Sequence, residues 1–242
     1  MGLAVEVGYL ADMLAHDAEG AAEAMADLEA INDALATQGL PTHTEPTEVA
    51  VWSADMLSYS GLLALREVAA MLWAGRPIPR DRMIEGDDTQ ASDTLVSAFL
   101  ENLAGSAELT LVGRAFRALF RGSEPPARPP FLYLTLHSDH DGYYVPVPLD
   151  VPLVPKRVTE DTEHLWPLGS TLGLEADINE MCAALSLPVD MGHDDAALAR
   201  HLDSPAPDGL LWQAQPCAAH ACLVLREACF RSLSTGAAIR FC

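Results

Sequence analysis

The sequence predicts an α+β fold: a small mixed β-sheet, made of an N-terminal strand, a central hairpin and a C-terminal strand, packed with several helices. Three observations lead there. Half of the 242 residues are apolar, enough for a sizeable core. Strand-like segments occur at the start, the middle and the end of the chain, without regular β-α alternation. A lone N-terminal strand also needs pairing partners, and the second half supplies them. The same need makes residues 1–242 read as a single domain, with the Pro-rich stretch 123–130 as a stiff connection inside it.

Residues 3–9 suit the first strand. A helix is expected over 10–37, where Leu14, Ala18, Ala21, Met25, Leu28 and Leu35 recur at three- and four-residue steps as one apolar stripe. Asp12, Asp17, Glu19, Glu23, Asp27, Glu29 and Asp33 fill much of its other side, and Gly39 stops it. The plain reading of that acidic side is a solvated face. A second helix is expected over 58–74, with Leu62, Leu65, Val68, Ala69 and Leu72 facing inward. Residues 93–103 and 109–120 read as helices after a polar loop, and Arg114, Arg117 and Arg121 form a basic stripe expected to pair with the chain's own acids.

Beyond the prolines, Phe131–Leu136 has strand composition, His137–Gly142 turns, and Tyr143–Val147 returns, giving the hairpin. Ser170 is placed to cap a helix to Leu185 with Leu174, Ile178, Met181 and Leu185 on one side. A short helix is expected at 194–202. Pro216 opens a longer helix to Ser234, Gly236 closes it, and Ala237–Cys242 makes the last strand.

Charge narrows the function classes. The chain has 14 Lys and Arg against 35 Asp and Glu, a formal net charge of −21. Residues 1–65 hold 11 acids and no Lys or Arg, whereas residues 66–130 are almost neutral. A surface that binds nucleic acid needs a basic footprint, so direct nucleic-acid binding is not expected. Docking on anionic membranes is disfavoured for the same reason. The N-terminal residues lead us to expect no signal peptide and no myristoylation, and without an apolar run of about 18 residues no membrane-spanning helix is expected. Five cysteines without a C-x-x-C pair read as reduced thiols. A cytoplasmic protein is expected.

The sharpest local motif is His137-Ser-Asp139-His140-Asp141-Gly142-Tyr143-Tyr144. His137 and Asp139 are two apart and would point to one side if the strand continues through them, where an imidazole and a carboxylate can ligate a divalent metal or transfer a proton. Asp141 and Tyr143 would then contact a ligand. The competing reading is an Asx-type turn whose carboxylates bond local backbone N–H groups. Ser53, Asp55 and Tyr59 gather hydroxyls and a carboxylate near a helix start, and Ser170 could offer exposed N–H groups to an anion, although a plain helix cap explains it.

The segments Met1-Gly-Leu-Ala-Val-Glu-Val7, Trp52-Ser-Ala-Asp-Met56, Tyr59-Ser-Gly-Leu62, His137-Ser-Asp-His-Asp-Gly-Tyr-Tyr-Val-Pro146, Leu168-Gly-Ser170 and Gly236-Ala-Ala-Ile-Arg-Phe-Cys242 resemble a family of uncharacterised bacterial proteins of about this length. Its marks are an HSDxxGYYVP hairpin motif and a GAAIxFC ending. The resemblance implies that His140, where the family carries Cys, is a poor ligand, while His137 and Asp139 match. It implies no activity.

Two function classes follow. The first is an acidic partner-binding or regulatory protein, immunity-like in one concrete form, that engages a basic protein partner through its N-terminal acids. The alternative is a metal-dependent hydrolase using His137 and Asp139, the reading under which a divalent metal would be bound; otherwise no cofactor is expected. A third class, a structural or DNA-mimic protein, is less attractive at this stage because of the apolar fraction and the neutral middle.

Overall fold

The computed structural model describes residues 2–84, 131–137, 142–153, 155 and 167–242. The expectations for 93–103, 109–120, the Arg114, Arg117 and Arg121 stripe, the 123–130 connection, Asp139, His140 and Asp141 lie outside these residues.

Five strands form one mixed sheet in the order β2-β1-β5-β3-β4. They are β1 (Ala4–Val7), β2 (Trp52–Asp55), β3 (Gly142–Val145), β4 (Gly169–Ser170) and β5 (Ile239–Phe241). β1 runs antiparallel to both β2 and β5, so the N-terminal strand does pair with the C-terminal one. β5 is antiparallel to β3, and β3 is parallel to β4. The described helices are α1 (Tyr9–His16), α2 (Ala18–Thr37), α3 (Tyr59–Trp73), α4 (Leu132–Thr135), α5 (Thr171–Leu185), α6 (Ala196–Asp203), α7 (Leu211–Ala214) and α8 (Pro216–Thr235). This is an α+β architecture, as the sequence predicts.

Register separates the two sheet faces. Ser53, Glu6, Arg240 and Tyr143 stand opposite one another across four strands and share one face. Trp52, Val7, Ile239 and Tyr144 form the neighbouring row on the other face. That second face packs on α8, which also lies against α3 and α5. Ala218, Ala221, Cys222, Leu225 and Cys229 on α8 are buried, and Gly236 ends the helix at φ +80° as expected. Gly169 in β4 has no room for a side chain: a Cβ there would lie 2.1 Å from the Tyr144 ring.

Three elements differ from expectation. The long N-terminal helix breaks at Asp17, which takes extended backbone and caps α2 by accepting from the Gly20 N–H at 3.0 Å. The buried stripe of α2 is consequently Ala21, Ala24, Leu28, Ile31 and Leu35, leaving Leu14 and Met25 exposed. Residues 52–55 form edge strand β2 rather than the approach to a helix.

The third difference removes the hairpin. Leu132–Thr135 is helical, not a strand. An apolar run of this length carries no period that separates strand from buried helix. Distant charges decide it. The Asp177 carboxylate accepts the Tyr133 and Leu134 N–H groups at 2.7 and 3.1 Å, at the N-terminal end of α4. At the other end the Arg66 guanidinium donates to the Leu134 and His137 carbonyls, both at 2.9 Å. An anion at the start and a cation at the end both favour the helix dipole. Asp177 and Arg66 are both buried.

The opposite side is fastened by a polar relay. The Asn32 side chain on α2 donates to the His43 carbonyl (2.9 Å) and accepts from the His43 N–H (2.7 Å). The His43 Nε2 meets Glu45 Oε2 at 2.6 Å, with both side chains almost wholly buried. The same Glu45 oxygen accepts the Ala238 N–H at 2.8 Å, just before β5. Helix α2, the 41–46 loop and the sheet centre are thus joined through four residues.

Two stability outcomes follow. Asp177→Ala leaves two buried N–H groups without their carboxylate and costs about 3 kcal/mol. His43→Ala strands the buried Glu45 carboxylate and costs about 2–4 kcal/mol. Urea unfolding followed by circular dichroism reads both as a lower midpoint with unchanged slope.

Candidate functional site

On α2 the acids at 19, 23, 27, 29 and 33 span about 160° of the helix circumference, given 3.6 residues per turn. The buried stripe lies on the other side. Asp12, Asp17, Glu19, Glu23, Glu29 and Asp33 are exposed. Within α1 and α2 the only titratable base is His16, which meets Asp12 at 3.1 Å in solvent. Glu19 lies in the first turn of α2, where the dipole favours an anion, whereas Asp33 lies near the C-terminal end, where it opposes the dipole. No basic residue occupies that last turn. Helix stability therefore does not account for the acids at 29 and 33.

Beneath this face is a polar layer. Asp27, half-buried, accepts a 2.9 Å hydrogen bond from the Tyr143 hydroxyl on β3. The Tyr143 ring lies 5.5 Å from that of Tyr9, and the Arg240 guanidinium sits over Tyr9 at 5.5 Å. Burial, with the nearby Tyr143 and Glu45 adding to it, pushes the Tyr9 phenol far above its usual range, so it stays neutral. The layer fixes how α1 and α2 sit on the sheet.

Among the described residues, those singled out from sequence do not converge. Ser53 and Asp55 lie exposed on β2, and Asp55 accepts the Leu57 N–H at 2.6 Å, holding a turn in which Leu57 and Ser58 both have positive φ. Tyr59 opens α3 without a side-chain cap from Ser58. Ser53 and Tyr143 share a row but are three strand spacings apart, about 14 Å. Ser170 lies at the far edge in β4, where it caps α5 through the Gly173 N–H (3.3 Å) and donates to the Val147 carbonyl (2.7 Å). His137 is buried, stacked on Tyr144 at 4.0 Å and 13°, with Nε2 3.3 Å from the Tyr143 carbonyl. Its ring faces the Tyr144 and Phe241 side of the sheet, opposite to Tyr143. Asp139 and Asp141 lie outside the described residues. Among the described residues no group of three or more His, Cys, Asp or Glu side chains could hold a metal.

The acidic helix, the partner-binding face that the sequence points to, lies apart from the described candidates Ser53, Asp55, Tyr59, His137 and Ser170. Sequence reasoning passed over two buried histidines. His43 belongs to the relay. His220 is buried in α8 facing His193, and burial lowers its pKa. An open cleft of about 480 Å³ lies between α5, α8 and residues 189–193, lined by Glu175, Asp190, Arg226, Glu227 and Phe230 among others. No described helix is long and apolar enough to cross a membrane.

No curated protein and no solved structure matches the chain. A family model described as "Putative DNA-mimic protein" matches residues 1–241. The match runs through the whole chain, in keeping with a resemblance to an uncharacterised family, and its description suggests an acidic protein that binds a partner. It corrects the partner expectation. An unspecified basic protein, as in the immunity-like reading, gives way to a DNA-binding protein that the family engages by standing in for DNA. Such a mimic does not itself bind nucleic acid. The apolar half of the composition and the neutral middle argue against the DNA-mimic class from sequence. Neither property bears on a local face: the apolar residues build the core, and the acids of α1 and α2 other than Asp27 are exposed regardless. With residues 1–241 of 242 matched, the chain belongs to this DNA-mimic family.

Proposed function

We propose that this protein binds the DNA-contacting surface of a DNA-binding protein, presenting the acidic face of α1 and α2 where DNA would lie. The observation that carries this reading is the run of six exposed carboxylates from Asp12 to Asp33 in a segment, residues 1–65, without Lys or Arg. The spacing supports it. Glu19 to Glu23 and Glu29 to Asp33 are four-residue steps, each rising about 6 Å along the helix. Two base steps along one DNA strand advance about 6.8 Å. The 20 residues of α2 extend about 30 Å, the length of about nine base pairs. The helix carries fewer charges per ångström than a duplex: at about one per 6 Å it matches every second phosphate along one strand. A partner surface that pairs with phosphates through Lys and Arg would accept such a row, and association would weaken as salt rises.

The test uses the full chain, immobilised, with cell extract from the source organism and with duplex DNA as competitor. Retained proteins are expected to be DNA-binding proteins that duplex DNA displaces. The variant carrying Glu19→Gln, Glu23→Gln, Glu29→Gln and Asp33→Asn is expected to bind them at least about 10-fold more weakly and with a shallower salt dependence. Retention unaffected by duplex DNA, or equal retention by the variant, contradicts the proposal. The same variant is expected to melt no lower than the parent protein, because relieving like-charge repulsion and the unfavourable dipole position of Asp33 adds a few tenths of a kcal/mol, about 0.5 in total. Thermal unfolding by calorimetry checks this and excludes a folding defect as the cause of lost binding.

A further inference from the structure

We propose that Cys182 and Cys222 form a reversible oxidation site, at which Cys182 is oxidised by a hydroperoxide and Cys222 resolves the product to a disulfide. The two residues lie on α5 and α8, the most extensively packed helix pair among the described residues, 40 positions apart in sequence. Their sulfurs are 3.5 Å apart. Closing to a disulfide length of about 2.05 Å needs a further approach of about 1.5 Å. The environments of the two differ. Cys182 is partly exposed, whereas Cys222 is buried.

That difference separates their chemistry. The hydrogen bond from Cys222 stabilises the Cys182 thiolate, and although burial works against it, the nearby Arg226 guanidinium adds to the effect, lowering its pKa to about 7. Burial pushes the Cys222 thiol up, so it stays protonated and inert toward peroxide. The Cys182 thiolate attacks one peroxide oxygen; the O–O bond breaks, an S–O bond forms, and the departing oxide takes a proton from solvent. Cys182 is then a sulfenic acid, its sulfur oxidised by two electrons, and the peroxide is reduced to an alcohol or water. The Cys222 sulfur next attacks the Cys182 sulfur. Its proton leaves with the sulfenic hydroxyl as water, and the S–S bond closes. Two thiols and one hydroperoxide thus give one disulfide, one alcohol or water, and one further water.

The experiment treats the purified full chain with one equivalent of hydrogen peroxide and maps the peptides with and without dithiothreitol. A reducible cross-link between the Cys182 and Cys222 peptides is expected. Cys222→Ser should instead leave a sulfenic acid at Cys182 that dimedone traps. Alkylation by iodoacetamide provides a measurement that requires no variant. At pH 7, Cys182 should react about 5–10-fold faster than the exposed Cys242 in the same sample, with a rate that falls below pH 7 as the thiolate protonates. Equal alkylation rates at the two cysteines, or peroxide oxidation confined to cross-links between chains through Cys242, would overturn the proposal.

Discussion

The arrangement depends on how a strongly one-sided acidic helix is held to a sheet. The exposed carboxylates of α2 repel one another, and apolar packing alone leaves a helix free to slide along its stripe. The relay from Asn32 through His43 and Glu45 to the Ala238 N–H removes that freedom. It ties α2 to the start of β5, the central strand, and the Tyr143–Asp27 bond adds a second fastening on β3. Both fastenings are buried or half-buried and hydrogen-bonded, so solvent screens them far less than it screens the face above. A charged surface fixed in this way loses little conformational entropy when it meets a partner.

The sheet divides the labour between its faces. One face, through Val5, Val7, Ile239 and Tyr144, packs with α3, α5 and α8 into a core in which Ala218, Ala221 and Leu225 are fully buried. The other carries the row Ser53, Glu6, Arg240 and Tyr143, in which Arg240 and Tyr143 pack against Tyr9 of α1 and Asp27 of α2 while Ser53 is exposed. The first side builds the larger part of the core, and the segment over the second carries six exposed carboxylates from Asp12 to Asp33. A chain that is half apolar can therefore still present an almost purely acidic face.

Much of this was legible in the sequence, for reasons that can be named. α3, α5 and α8 declare themselves through 3.6-residue periodicity, and Ser170, Pro216 and Gly236 mark ends that the structure keeps. The pairing of β1 with β5 follows from the need of a lone strand for partners. Leu132–Thr135 was not legible, because Asp177 and Arg66, which stabilise its helical ends, are more than 40 residues away. Strand β2 was hidden because Trp52-Ser-Ala-Asp55 is short and one side of it is polar and exposed. The acidic face was visible as a pattern. Its attachment through His43 was not, since a His-Thr-Glu triplet in a loop reads as surface until the fold buries it. The hairpin motif drew attention through the chemical variety of its side chains, yet His137 is a packed core histidine stacked on Tyr144.

The central claim is that the face of α1 and α2 takes the place of DNA on a partner. Carbodiimide cross-linking of the protein to a captured partner tests it most directly, because the reagent joins carboxylates to lysines in contact without adding a spacer. The account predicts cross-links from Glu19, Glu23, Glu29 or Asp33 to lysines in the partner's DNA-contacting surface, and their loss when duplex DNA is added first. Cross-links arising only from other acids, such as Glu175 or Asp190 at the α5–α8 cleft, or cross-links that persist in excess DNA, would contradict it.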